Sequence, residues 1–339
     1  MSANDFLCSF YHHYAIATRT MKGRVLITEV IHPVLENMLA DFGFTCTHIE
    51  EASQKIVLEQ IANYEGLIVR SKVKADKTLI DKGSNLQFIG RTGSGMELID
   101  VEYAHQKGIT CFNSPEGNCD SVAEQAVGML LALLHNIVKS DAQLRHGIFN
   151  RLANTGAELM GKTVGIIGYG NTGAAFAKRL QGFGVKILAY DKYKTGFGGN
   201  GIHESTLPDI FNHAHIVSLH IPLTPETHHW VNERFVMQFK QPPYLINTSR
   251  GAIVQTASIL HALETHQLKG FATDVLENEN LHTYTHTEYN LLQRLSAMPN
   301  VVLTPHTAGL THESAFKIAH ILADKIIHHY SAKTLTNAI

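Results

Sequence analysis

Short apolar runs bounded by turn residues recur along the chain, and stretches with helical spacing lie between them. From residue 164 the rhythm is regular. Val164–Ile167, Lys186–Tyr190, His215–His220, Tyr244–Thr248, Gly270–Val275 and Val301–Leu303 read as strands, with helices such as Ala174–Phe183 and Thr256–Thr265 between them. Strands apolar on both faces that alternate with helices predict a parallel sheet covered on both sides, the doubly wound α/β arrangement. The preceding segment has the same rhythm in RVLIT, GLIVR, QFIGR and GITCF, so a second α/β unit is expected there. Between the two sets lies SVAEQAVGMLLALLHNIVKSDAQL, uncharged between Gln125 and Lys139. Its composition predicts a long buried helix at a domain or dimer interface. His312–Tyr330 predicts a closing helix, and the glycine-rich TGFGGNG at 195–201 reads as a mobile loop.

Composition narrows the function classes. The 339 residues are 44% apolar, enough to bury one large or two medium cores. A net charge of −2 gives no basic footprint for nucleic acid. No apolar run reaches membrane-spanning length, so no membrane partner is expected. The four cysteines, at 8, 46, 111 and 119, form no CxxC pair, which disfavours a disulfide framework and points to a reducing cytoplasm. The 22 histidines are scattered without zinc-ligand spacing, so no metal site is expected and most read as surface residues. Residues 1–20 lack the basic and apolar regions of a signal peptide and read as a disordered extension before Met21.

The most informative local stretch is KTVGIIGYGNTGAAFAKRL. Gly168, Gly170 and Gly173 form GxGxxG between an apolar run and a helical one. The first glycine permits a tight turn, the second lets a pyrophosphate approach the backbone, and the third allows close helix–strand packing. Unpaired N–H groups at the helix start then receive phosphate. The next strand ends at Asp191, about twenty residues on, where an acid accepts from ribose hydroxyls and repels a 2′-phosphate. NAD is therefore favoured over NADP, with Lys192 and Lys194 keeping the phosphorylated cofactor as the minor alternative.

Three later strands end in INTSRG, FATDVLENEN and LTPHTAG, which carry Arg250, Asp274 with Glu279, and His306. In an open α/β sheet, ligands bind outside the carboxyl ends of the strands. Moving a hydride from a C–H(OH) carbon needs a base for the hydroxyl proton, and histidine titrates in the useful range. A carboxylate can orient that histidine, and an arginine can hold a substrate carboxylate. Read singly, Arg250 also fits a surface ion pair, Glu279 a solvated loop acid and His306 a turn residue.

In order along the chain stand IVRS, GRTGSGMELID, FNSPEGNCDSVAE, GKTVGIIGYGNTG, INTSRGAIV, ATDVLENE and LTPHTAG. In this ordered set the chain resembles the D-isomer-specific 2-hydroxyacid dehydrogenases from Met21 onward. The resemblance implies two Rossmann-like doubly wound domains. An NAD-binding domain over 118–306 would be inserted into a discontinuous, flavodoxin-like substrate domain over 21–117 and 307–339. It implies His306 as general acid/base paired with Glu279, and Arg250 as the substrate-positioning cation. NAD would meet Gly168, Gly170, Asn171, Thr172, Gly173, Asp191, Ile221, Pro222, Thr248, Asp274, His306 and Gly309, with Asp274 on the nicotinamide carboxamide. A small 2-hydroxy acid is the implied substrate and a homodimer the implied assembly.

Within the family, the chain is most similar to the branch that oxidises 3-phospho-D-glycerate to 3-phosphooxypyruvate in L-serine biosynthesis. That likeness implies Arg70 and Arg91 on the phosphate, with Asn113 and the Ser94–Gly95–Met96 backbone on the carboxylate end. Reduction of glyoxylate, hydroxypyruvate or a similar 2-keto acid is the alternative, and an NAD-sensing scaffold or corepressor a more distant one. The chain departs from the family pattern at Asn280, where proline is usual, in the loop that follows, and in HTAG in place of HIGG.

Overall fold

Two parallel sheets organise the chain, each in its own unit. The computed structural model describes residues 21–49 and 52–336, so the expected disorder of residues 1–20 lies outside the described residues. One unit comprises Met1–Ser114 with Phe316–Ile339, and the other comprises Pro115–Ala315. The second is thus inserted in sequence between the two segments of the first.

The first unit holds strands β1 Gly23–Ile27, β2 Phe44–His48, β3 Gly66–Val69, β4 Phe88–Arg91 and β5 Thr110–Asn113, in the order β2-β1-β3-β4-β5. Every pairing is parallel. The strand period of two sorts the side chains to opposite faces. Leu26 and Leu67 join Val57, Ile61 and Leu79 on one side. Val25 and Ile27 join Leu35, Phe88 and, from the closing helix His312–Thr336, Ala319, Leu322 and Ile326 on the other. Ser53, Asp76 and Asp100 each accept a backbone N–H at the start of a helix, worth about 1 kcal/mol apiece.

The second unit holds β6 Thr163–Ile167, β7 Lys186–Tyr190, β8 Ile202–Glu204, β9 Ile216–Leu219, β10 Tyr244–Asn247, β11 Gly270–Thr273 and β12 Val301–Leu303. Their order is β12-β11-β10-β9-β6-β7-β8, again parallel throughout. From β6 the chain proceeds to β7 on one side and later to β9 on the other. That reversal opens a crevice at the carboxyl ends of the central strands.

Three sequence expectations need correction. The long apolar stretch is two helices, Cys119–Leu134 and Ile137–Arg145, bent by 62°. Asn136 between them takes the left-handed conformation, φ 55, which asparagine tolerates better than most residues. The sheet has a seventh strand, β8, unread because only Ile202 of its three residues is buried. The 195–201 segment is fastened rather than loose. Glu204 accepts the N–H groups of Gly196 and Phe197, and the Phe197 ring stacks on Tyr169 with centroids 4.5 Å apart. Among the described residues no single helix is long and apolar enough to cross a membrane.

Candidate active site

His306 follows β12 and carries a positive φ of 54, a conformation that costs a non-glycine residue about 1–3 kcal/mol. The surrounding bonds enforce it. Its N–H donates to the Asp274 carbonyl at 2.6 Å. The Asp274 carboxylate, buried with the residue 1% exposed, accepts the N–H groups of Thr307 at 3.0 Å and Ala308 at 2.9 Å. The turn on both sides of the histidine is therefore tied to one aspartate at the end of β11.

The His306 ring remains half exposed, and its Nδ1 lies 2.9 Å from Oε2 of Glu279. The hydrogen bond to Glu279 raises the imidazole pKa above its ordinary value. Burial opposes the rise, the Glu279 and Asp274 charges add to it, and Arg250 works against it. Glu279 sits in a loop whose next residue departs from the family pattern. The Asn280 N–H donates to Asn278 Oδ1 at 3.0 Å, a bond proline cannot make. Tyr284 Oη then donates to the Asn278 carbonyl at 2.7 Å, folding the unusual following loop back on its start.

Arg250 leaves β10 through a turn organised by Asn247, whose Nδ2 donates to the Arg250 carbonyl and whose Oδ1 accepts the Ser249 N–H. Ser249 Oγ donates to the Leu219 carbonyl, tying the turn to β9. A Cβ at Gly251 would come 1.8 Å from the Leu276 carbonyl oxygen, so the arginine turn and the glutamate loop pack backbone to backbone.

The glycine turn has the three features its pattern predicts. Gly168 has φ +93, and a Cβ there would lie 2.3 Å from the His220 carbonyl oxygen. A Cβ at Gly173 would lie 2.0 Å from the Gly168 carbonyl oxygen. Gly170, by contrast, faces open space. The helix Asn171–Leu180 starts there with no side-chain cap. Asp191, after β7, accepts the N–H groups of Tyr169, Tyr193 and Lys194. Burial penalises its charge, but those three bonds and Lys194 outweigh it and hold the carboxyl below its ordinary pKa. Both nearby lysines have partners: Lys192 pairs with Glu226, and Lys194 Nζ donates to the Tyr169 carbonyl at 3.3 Å.

In the first unit, Arg70, Arg91 and Asn113 stand at the carboxyl ends of three neighbouring strands, with Val69 opposite Arg91 and Arg91 opposite Asn113. Glu29 accepts the N–H groups of Arg70, Ser71 and Lys72 and so fixes the turn that carries Arg70. Arg91 Nη1 donates to the Thr92 carbonyl, and Asn113 Nδ2 donates to the Ser94 carbonyl at 2.7 Å. Gly95 and Met96, which follow, are half-buried.

The sequence profile of the D-isomer specific 2-hydroxyacid dehydrogenase NAD binding domain matches residues 127–308. The chain belongs to this family. It is 33% identical over 289 residues to the hydroxypyruvate reductase of Thermotoga maritima, covering 83% of this chain and 89% of that one. It is 30% identical over 321 residues to human D-3-phosphoglycerate dehydrogenase, which covers 93% of this chain, while the chain spans 58% of that relative's length. The crystal structure of D-lactate dehydrogenase from Aquifex aeolicus, complexed with NAD and lactic acid, superposes with a TM-score of 0.79 at 27% identity, covering 92% of this chain and 96% of that one.

The residues present in this family member fit NAD. Thr248 Oγ1 is buried with no partner, as a group awaiting a ligand would be. The open face of Gly170 and the uncapped helix start leave room and donors for phosphates. Among the described residues, no group of three or more His, Cys, Asp or Glu side chains is placed to hold a metal ion. A cavity of about 190 Å³ lies behind the Glu279 loop, and none of the predicted site residues lines it.

Sequence reading passed over the supports: Asn247, Ser249 and Glu29, and the helix residues Ser121 and Gln125. Ser121 Oγ donates to the Ala308 carbonyl at 2.6 Å, and Gln125 Nε2 donates to Asp274 Oδ1 at 2.9 Å. The only signal for Ser121 and Gln125 is two uncharged polar residues four apart, beside the charged Asp120 and Glu124, in the first half of a helix that is apolar thereafter.

Proposed function

We propose that this protein is an NAD-dependent D-2-hydroxyacid dehydrogenase, and that His306 is its general acid/base. The observation that carries the reading is the His306–Glu279 pair at 2.9 Å, held on a turn that Asp274 fixes at its backbone. When bound, the nicotinamide supplies a hydride acceptor, chemistry that no side chain offers. His306 takes the hydroxyl proton in oxidation and returns it in reduction. Glu279 orients the ring and stabilises the imidazolium. Arg250 holds the substrate carboxylate through its planar fork. Gly168, Gly170 and Gly173, with Asn171 and Thr172, receive the pyrophosphate, and Asp191 receives the ribose. Ile221, Pro222, Thr248 and Gly309 line the remainder. Asp274 Oδ2, with one donor in the turn, keeps acceptor capacity for the carboxamide.

As substrate we propose 3-phospho-D-glycerate. Arg70 and Arg91, at adjacent strand ends, supply two guanidinium groups for the phosphate, and Asn113 with the Ser94–Gly95–Met96 backbone takes the carboxylate end. The match to hydroxypyruvate reductase over 89% of that relative favours a second reading, reduction of an unphosphorylated 2-keto acid. NADH formation from 3-phospho-D-glycerate, run beside NADH consumption with hydroxypyruvate and glyoxylate, separates them. Preference for the plain acids would retire the phosphate assignment and leave the His306 chemistry intact.

A homodimer is part of the proposal. Leu144, Phe149, Leu152 and Met160 are 61%, 79%, 88% and 72% exposed in one stretch of the second unit. Such a concentration of exposed large apolar side chains is the mark of an interaction surface.

A further inference from the structure

The turn bearing His306 is backed by one face of the Cys119–Leu134 helix. Ser121, Gln125 and Met129 follow one another at intervals of four, so they line a single face. Ser121 Oγ donates to the Ala308 carbonyl, and Thr304 Oγ1 lies 3.7 Å from Met129 Sδ. Gln125 stands between them. Its Nε2 reaches Asp274 Oδ1 at 2.9 Å, Thr304 Oγ1 at 3.1 Å and Thr307 Oγ1 at 3.3 Å. Thr304 Oγ1 and the Thr307 N–H also donate to the same Oδ1.

This arrangement brackets His306 without touching its imidazole. The strained φ of 54 persists only where neighbouring bonds over-determine it. Three charged groups face the ring: Glu279 and Asp274 favour its protonated form, and Arg250 opposes it. An amide at position 125 anchors Asp274 without cancelling its charge. A lysine there would cancel it, and an apolar residue would leave Oδ1 a donor short.

We propose that Gln125 is a positioning residue for His306, acting through the Asp274 carboxylate and the Thr304–Ala308 turn. The proposal rests on reading His306 as the acid/base.

Gln125→Leu, Gln125→Glu and His306→Ala test it in the full chain. The probes are NADH binding by fluorescence, thermal midpoint, and NADH-dependent reduction of hydroxypyruvate and 3-phosphooxypyruvate across about pH 5.5 to 9. Gln125→Leu should lower kcat by about tenfold or more with NADH affinity retained, as displacement of a reacting group does. Its pH limb should move upward, because Asp274 has lost a hydrogen bond that disperses its charge. Gln125→Glu sets two carboxylates together when ionised and donates again when protonated, so its deficit should narrow as pH falls. That pH-dependent recovery decides the matter if the leucine variant fails to fold. Wild-type kcat and pH profile in both variants would overturn the proposal. Losses of NADH binding, thermal midpoint and turnover in step, with no pH dependence, would also overturn it and assign Gln125 to the fold. His306→Ala separates the two claims. Normal turnover there removes the acid–base reading and the proposal together, whereas collapse there beside normal Gln125 variants removes the proposal alone.

Discussion

Nδ1 of His306 sits 2.9 Å from Oε2 of Glu279, and that single contact sets the direction in which the histidine's pKa moves. The bond to Glu279 is the largest cause of the rise, so the imidazolium survives to higher pH than a free histidine would allow. Reduction of a keto acid consumes that proton and should hold up to a pH above the ordinary histidine value. Glu279→Gln removes the charge, so the alkaline fall in reductive turnover should shift to lower pH, and oxidation should extend to lower pH in step. His306→Ala should cost on the order of a hundredfold or more in kcat in either direction while leaving NADH binding in place. Paired pH profiles of forward and reverse turnover check both, and an unshifted profile in Glu279→Gln would detach Glu279 from the histidine.

The glycine turn gives two variants of one chemical change with different outcomes. At Gly173 an added methyl meets the Gly168 carbonyl at 2.0 Å, a backbone atom that cannot swing aside. Gly173→Ala should therefore cost about 1–3 kcal/mol of folding stability as well as cofactor binding. At Gly170 the methyl meets nothing. Gly170→Ala should fold with wild-type stability and lose NADH affinity alone, because its open side is where a pyrophosphate needs the room. Urea unfolding beside NADH titration distinguishes them, and wild-type affinity in Gly170→Ala would take the phosphates away from this turn.

Asp191 ties together the ends of two strands, and in the proposed function it is the acid that discriminates between cofactors. Asp191→Ala should weaken NADH binding by roughly ten- to a hundredfold, the range of a lost charged hydrogen bond. It should also narrow the gap between NADH and NADPH. Lys192 pairs with Glu226, so the double variant Asp191→Ala/Glu226→Gln should favour NADPH further by releasing a cation. The ratio of the two dissociation constants is the measurement, and an unchanged ratio would remove Asp191 from the ribose.

Much of this was legible in the residues. Buried parallel strands advertise themselves as short apolar runs, which located ten of the twelve strands in the two sheets. GxGxxG followed by an acid after the next strand located the turn and Asp191. What stayed hidden has two physical causes. Hydrophobic spacing does not register a backbone reversal at a single residue, nor an edge strand with one buried residue, so the bend at Asn136 and the edge strands β2 and β8 escaped it. Nor does any local pattern announce a hydrogen bond across 149 positions, which is the distance from Gln125 to Asp274. The support of His306 therefore appears only once the Cys119–Leu134 helix is laid against the turn.

The exposed arm after that bend offers a test of assembly. Phe149 and Leu152 are the most exposed of its apolar residues. Replacing both with glutamate removes the gain from burying them, roughly 1.5–3 kcal/mol each if fully covered, and places like charges face to face across a two-fold interface. On the proposed homodimer the wild type should elute as a dimer and the double variant as a monomer, with light scattering giving the mass. Identical masses would move the interface elsewhere.

His220 tests the protein's acid stability. Unlike His306, it is only 9% exposed, with Ser218 Oγ 2.9 Å from its Nε2 and the Phe176 ring 5.2 Å away. Burial pushes its pKa down to about 3. A histidine whose folded pKa lies below its unfolded value binds its proton only on unfolding, so the stability it preserves is complete above the unfolded pKa. That stability is lost as pH falls toward the folded value, at up to about 1.4 kcal/mol per pH unit. Carboxyls held below their ordinary pKa, such as Glu29 and Asp191, act in the same sense but begin to matter only nearer their own unfolded values, whereas His215, also lowered by burial, acts within the window from about pH 7 to 5 and is the same in both proteins compared. His306, with a raised pKa, acts in the opposite sense but is unchanged between the two proteins compared. Wild type should lose stability across that window, and His220→Gln, neutral throughout, should lose less. Urea midpoints at the two pH values supply the comparison, and equal losses would mean that His220 is protonated in the folded chain.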